Sequence, residues 1–81
     1  MKTIHKYTLT PFILMPKGAE ILHIAHQEGL LTIWALVNPE KEEEERKFRI
    51  AGTGWNIFDN EKHLSTYQDG ELVWHVFEVL D

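Results

Sequence analysis

The stretch Ser65-Thr-Tyr-Gln-Asp69-Gly70-Glu-Leu-Val-Trp-His-Val-Phe-Glu-Val79 decides the fold class. Two runs rich in β-branched and aromatic residues flank Asp69-Gly70, a dipeptide suited to a two-residue turn with φ > 0. The reading is a β-hairpin, with His63 to Gln68 and Glu71 to Leu80 as its arms and Asp69-Gly70 at its tip. Working back toward the N-terminus, the same signals recur. Arg46 to Ala51 reads as a strand, with Phe48 and Ile50 on one face and Lys47 and Arg49 on the other. Gly52-Thr-Gly54 closes it. Trp55-Asn-Ile-Phe58 is apolar but irregular, and Asp59 to Lys62 is a turn or loop. Glu40 to Glu45 reads as a charged hairpin loop, because Pro39 and the β-prone runs on either side disfavour a helical turn.

Leu30 to Val37 carries apolar residues on both faces, which predicts a central strand covered on both sides. Asn38-Pro39 ends it, and Gln27-Glu28-Gly29 connects it tightly to the strand before. That strand, Ala19 to His26, places Glu20, Leu22, Ile24 and His26 on one face and Ala19, Ile21, His23 and Ala25 on the other. Lys17-Gly18 supplies a turn, and Phe12 to Met15 is a short apolar run between Pro11 and Pro16. Lys2 to Thr10 reads as a first strand. No stretch of helical period is long enough to form a helix. The expectation is one all-β domain over residues 1–81, a small sandwich or barrel of six or seven mostly antiparallel strands.

Eighty-one residues bury a modest fraction of their surface, and without cysteine no disulfide supports the fold. Two supports remain: a well-packed core, or assembly with further copies of the chain. The large aromatics Trp34, Trp55, Trp74, Phe12, Phe48, Phe58 and Phe77 are candidates for that core, and Trp74 is expected to be essential to it. Their number exceeds what a small core holds, which predicts a homo-oligomer. The N-terminus lacks the apolar segment of a signal peptide, and no uncharged run spans a bilayer. A cytoplasmic protein is expected, with no membrane partner. The net charge of −5 is concentrated in residues 40 to 45, with five glutamates against one lysine. An acidic chain of this kind lacks the Lys and Arg density that general nucleic-acid binding needs.

Gly52-Thr53-Gly54-Trp55 is the best local candidate for a ligand loop. Two glycines let backbone N–H groups approach an anion, and an adjacent indole can stack on a base. The bland alternative is a bend leaving a strand, with Trp55 in the core. The segment is not a dinucleotide fingerprint, since no third glycine or helix follows. Five histidines invite a metal proposal, but His23 and His26 fall on opposite faces of one strand, and His75 reads as a packed, hydrogen-bonded side chain. Ser65 is the only serine and sits in no nucleophile motif. No metal, cofactor or catalytic residue is expected.

Four segments carry a resemblance across nearly the whole chain: Ile13 to Leu22, Ile33 to Val37, Phe48 to Gly54 and Leu72 to Glu78. They resemble a family of short, largely uncharacterised proteins widespread in phage genomes. Many of those relatives have His after Gly-Thr-Gly, where this chain has Trp55. In size and in lacking catalytic residues the chain is also similar to phage counter-defence sponges, which hold nucleotide immune signals between subunits without chemistry on them. That similarity is one of context rather than of motif. It implies a non-enzymatic protein that binds and sequesters a nucleotide-derived signal in the cytoplasm of the infected host. In that reading the phosphates meet Gly52, Thr53 and Gly54 and the cations Lys17, Lys47 and Arg49, while Trp55 or Tyr67 stacks on a base. The alternatives are a binder of a host protein and a virion structural or assembly module. A hydrolase of such signals ranks last.

Overall fold

In the computed structural model, which describes residues 1–81, the β-prone runs form seven strands and no helix. They are β1 (Thr3–Thr8), β2 (Phe12–Pro16), β3 (Glu20–Gln27), β4 (Leu30–Val37), β5 (Glu43–Gly52), β6 (Glu61–Asp69) and β7 (Leu72–Val79). A three-stranded sheet, ordered β1-β4-β3, faces a four-stranded sheet, ordered β2-β5-β7-β6. Every pairing is antiparallel. The fold is an all-β, sandwich-like arrangement with β4 internal to its sheet.

Alternation along β4 builds one half of the core. Ile33, Ala35 and Val37 point at the opposing sheet and are fully buried. Ile13, Met15, Phe48 and Val76 meet them from the four-stranded sheet, with Ile24 contributed by β3. Trp34 and Leu36 lie on the other face of β4 and stay partly exposed, since no second layer lies there. The expected cover on both faces is therefore corrected to one. The core is aliphatic at its centre, and of the seven Trp and Phe residues only Phe48 and Phe77 are buried.

Register refines four further expectations. Asp69 pairs with Leu72, so the closing turn is Gly70-Glu71, one residue later than Asp69-Gly70. Only Gly70 has positive φ there (61°), the pattern of a type II′ turn. The β3–β4 turn is Glu28-Gly29, with both residues at positive φ (52° and 80°), as a type I′ turn requires. Within β3 the pairing slips between Ile21 and His23. This bulge exposes Leu22 and puts Ile21 on the same side as Ile24, which strict alternation does not foresee. Finally, Glu43, Glu44 and Glu45 belong to β5 rather than to a loop, because β2 offers them Pro16, Met15 and Leu14 as partners. The Glu44 carboxylate also accepts the Gly18 N–H at 3.1 Å.

Two arginines of β5 tie the fold together on opposite faces. Arg46 points between the sheets, where it forms a bidentate pair with the buried Glu78 and donates to the Ala19 carbonyl at 2.8 Å. Arg49 points outward. Strands β5 and β6 are both antiparallel to β7, which separates them. They are therefore parallel, and residues 53–60 must cross β7 to join them. Arg49 holds this crossover through the Asn56 carbonyl at 2.9 Å, the Phe58 ring and the Glu61 carboxylate.

Candidate functional site

Gly52-Thr53-Gly54-Trp55 forms the turn where β5 ends and the crossover begins. Gly54 is at φ 91°, open only to glycine at low cost. The Trp55 N–H donates to the Gly52 carbonyl at 3.1 Å, and the Thr53 N–H donates to the Val73 carbonyl at 3.3 Å. Two of the loop amides, those of Thr53 and Trp55, are thus used inside the fold, which reduces the donors left for a phosphate. What the turn does instead is place an indole. Trp55 packs edge-to-face on Trp74, with ring centroids 5.9 Å apart. Gly52 pairs with Trp74 across the sheet, and a Cβ on Gly52 would lie 2.9 Å from the Trp55 Nε1. The missing side chain at Gly52 is what lets the two indoles meet.

These residues wall a cleft of about 280 Å³, completed by Thr53, Glu71, Leu72 and Val73. Trp55 remains 55% exposed, so one of its faces is available. Glu71 is the only charged residue on the cleft.

The cations named from the sequence do not converge on it. Arg49 is engaged by Glu61, Asn56 and Phe58, as described. Lys47 lies on the outward face of β5 with its Nζ 3.8 Å from an Asp81 carboxylate oxygen. Lys17 follows β2 beside the Glu43 end of β5, whereas Gly52 is at the other end, about 30 Å away at the rise of an extended strand. Tyr67 is opposite Trp74 on β6 and bridges toward the other sheet, edge-to-face with His26 at 5.0 Å. Its phenol is shifted upward, mainly by burial and then by Asp69. The structure therefore gathers Gly52, Thr53 and Trp55, with Gly54 in the same turn and Tyr67 on β6, beyond Trp74 from Gly52. It leaves Lys17, Lys47 and Arg49 elsewhere. Trp74 and Glu71 are the residues that sequence reasoning passed over. Only the strand register, Gly52 opposite Trp74, reveals the first of them.

Thr53 is also one end of a hydrogen-bonded row on the outward face of the four-stranded sheet. Its hydroxyl donates to the Val73 carbonyl at 3.1 Å and lies 3.1 Å from His75 Nε2. His75 Nδ1 is 2.9 Å from the Thr66 hydroxyl, which is 2.9 Å from His63 Nε2. For neutral imidazoles the directions follow from the first bond. Thr53 has spent its proton on Val73, so it accepts from His75 Nε2–H. The His75 Nδ1 then accepts from Thr66, and Thr66 accepts from His63 Nε2–H. Both nitrogens of His75 are occupied, leaving no lone pair for a metal. No group of three or more His, Asp or Glu side chains is placed to hold a metal ion.

A second, larger cavity of about 380 Å³ opens where β5 outruns β2, lined by Leu9, Thr10, Pro11, Phe48, Arg49 and Ile50. Its walls are mostly apolar, and its one charged residue is the Arg49 already neutralised by Glu61. No helix is long and apolar enough to cross a membrane.

Residues 1–81 match the family model of a domain of unknown function, DUF7352, and the chain belongs to that family. No curated protein and no solved structure matches the chain.

Proposed function

We propose that this protein is a non-catalytic, self-associating binder that takes a nucleotide-derived signal by its flat ring at the Trp55–Trp74 cleft. By retaining that ligand it keeps the signal from its receptor, in the cytoplasm of an infected host, as the resemblance to phage counter-defence proteins implies. One observation carries the reading: a largely exposed indole packed edge-to-face on a second indole beside an open cleft. Stacking on an aromatic face is worth about 1–3 kcal/mol per base and tolerates any base. The Glu71 carboxylate is an acceptor for ring or exocyclic N–H groups, which gives the cleft a means of choosing among bases. With no cation on the cleft, the phosphates point away from it, and binding depends little on salt.

One observation favours a second reading. Glu71 is the sole charge on the cleft, and a carboxylate sharing a cleft with two indoles equally suits a guanidinium of a host protein.

Calorimetric titration with cyclic and ADP-ribose-type nucleotides tests the first reading, followed by analysis of what the protein releases on heat denaturation. Recovery of intact ligand supports sequestration, and recovery of product makes the protein an enzyme. No heat from any member at millimolar ligand removes the nucleotide reading and promotes the protein-binding one.

A further inference from the structure

We propose that the free edge of β2 pairs antiparallel with β2 of a second copy of this chain, about a two-fold axis at Ile13, joining the two four-stranded sheets into one of eight strands. This deepens the self-association in the reading above and does not depend on the ligand.

The sandwich has four edge strands, β1, β3, β2 and β6. Natural edges are blunted by charge, proline or a bulge. Strands β3 and β6 each carry a register break. Strand β1 carries Lys6, and β6 carries Glu61 and Lys62 as well. Strand β2 alone is uncharged and unbroken, Phe12-Ile-Leu-Met-Pro16, with a proline only at its last position.

The backbone of that edge is self-complementary. The Phe48 N–H donates to the Pro11 carbonyl, and the Lys17 N–H donates to the Glu42 carbonyl. Antiparallel alternation between those bonds turns the polar groups of Ile13 and Met15 toward β5, and those of Phe12 and Leu14 outward. Pro16 has no N–H, is buried, and its carbonyl already accepts from Ala19. Phe12 and Leu14 are therefore the residues able to receive another strand. A two-fold at Ile13 sets Phe12 opposite the partner's Leu14 and Leu14 opposite the partner's Phe12. Each such pair exchanges two N–H to carbonyl bonds. The Phe12 carbonyl also accepts the Thr10 hydroxyl at 2.8 Å, and its second lone pair serves the incoming amide. A register centred on Leu14 instead meets the buried Pro16, which has no amide to offer. Side chains agree with the backbone, because Phe12 and Leu14 are 59% and 58% exposed on one face and become cross-strand neighbours.

Sedimentation at high micromolar concentration tests the interface on the intact protein. The expected result is a dimer for the unmutated chain and a monomer for Leu14→Pro, which deletes an outward N–H without touching the bonds to β5. Circular dichroism reads whether that variant folds; if it does not, Leu14→Lys carries the same test. The register is read by oxidative cross-linking, since the chain has no cysteine of its own. Phe12→Cys mixed with Leu14→Cys is expected to form a disulfide, with Cα atoms about 5.5 Å apart in such a pair. Neither variant alone is expected to do so, because like residues lie about 8 Å apart. A monomeric unmutated protein overturns the inference, even if the cleft binds its ligand. So does a folded Leu14→Pro or Leu14→Lys that stays oligomeric, or a mixture that fails to cross-link.

Discussion

Arg49 Nη2 lies 2.7 Å from Glu61 Oε1, and Arg49 Nε binds the other oxygen of the same carboxylate. Glu61 starts β6 and also accepts the Phe58 N–H at 2.9 Å, so the pair fastens the end of the crossover to β5. A cation that sequence alone offers to a phosphate is thus a fastener between two parallel strands that are not backbone-paired with each other.

The pair has a pH signature. The Arg49 hydrogen bond, with help from the Phe58 amide and the guanidinium charge, lowers the Glu61 carboxyl to about 2. An ordinary Glu titrates near 4.3. Because the folded value is the lower one, the stabilisation is fully present above the ordinary value and is lost as pH falls toward about 2. Carboxyl NMR titration is expected to find Glu61 as a low outlier, and a midpoint near 4 would mean the pair is not formed. Arg49→Glu sets two carboxylates face to face and is expected to lower the melting temperature.

Arg46 and Glu78 make the contrasting case, because they lie between the sheets with little exposure. Removing one partner of a buried pair leaves a charge without its counterion and costs roughly 3–5 kcal/mol. Arg46→Ala is expected to lose about that much in urea unfolding, including the bond to Ala19. The double change Arg46→Met with Glu78→Leu is expected to recover most of it, since two apolar side chains remove both desolvation penalties. If the double variant were no better than the single one, the Ala19 bond would be the larger contribution.

The core assignment separates Ile33 from Trp74. Ile33 is fully buried, and truncation to Ala costs about 2–5 kcal/mol. A domain of this size has only about 4–12 kcal/mol to lose. Trp74 is half-buried at the rim, and Trp74→Ala is expected to melt above Ile33→Ala. Thermal scans giving the opposite order would return Trp74 to the centre of the fold.

This ordering shows what the sequence made legible. Strand order in the chain follows from local signals, namely period-2 alternation and Gly-containing turns, and the internal place of β4 from its near-continuous apolar run. Burial of a particular aromatic does not, because it depends on which strand lies opposite. Trp34 points away from the only other sheet. Leu22 is thrown outward by a bulge that no residue type announces. Glu43 to Glu45 look like a loop until β2, about thirty residues earlier in the chain, is seen to supply their partners. The site behaves likewise: Gly52 and Trp55 are visible as a motif, whereas Trp74 joins them only through register and Glu71 through the turn that follows β6.

The cleft is tested most directly through Trp55, because its exposure uncouples binding from folding. Trp55→Ala removes one stacking face and leaves the core cluster untouched. The melting temperature is expected to change little. A nucleotide that binds by its ring should lose roughly 1–3 kcal/mol, a fall in affinity of about fivefold to over a hundredfold. Gly52→Ala approaches the same point from the other side. Its Cβ would meet the Trp55 Nε1 at 2.9 Å and Trp74 at 3.2 Å, so the indoles must part. Tryptophan fluorescence is expected to shift in this variant before any ligand is added, and affinity to fall with it. Gly54→Val is a poorer probe, since positive φ there strains any branched residue whatever the loop binds. Affinity is also expected to be nearly independent of salt, since no cation lines the cleft to be screened. A steep loss of binding with salt, together with full binding by Trp55→Ala, would move the ligand away from the indoles and toward the lysines of β5 and the turn after β2.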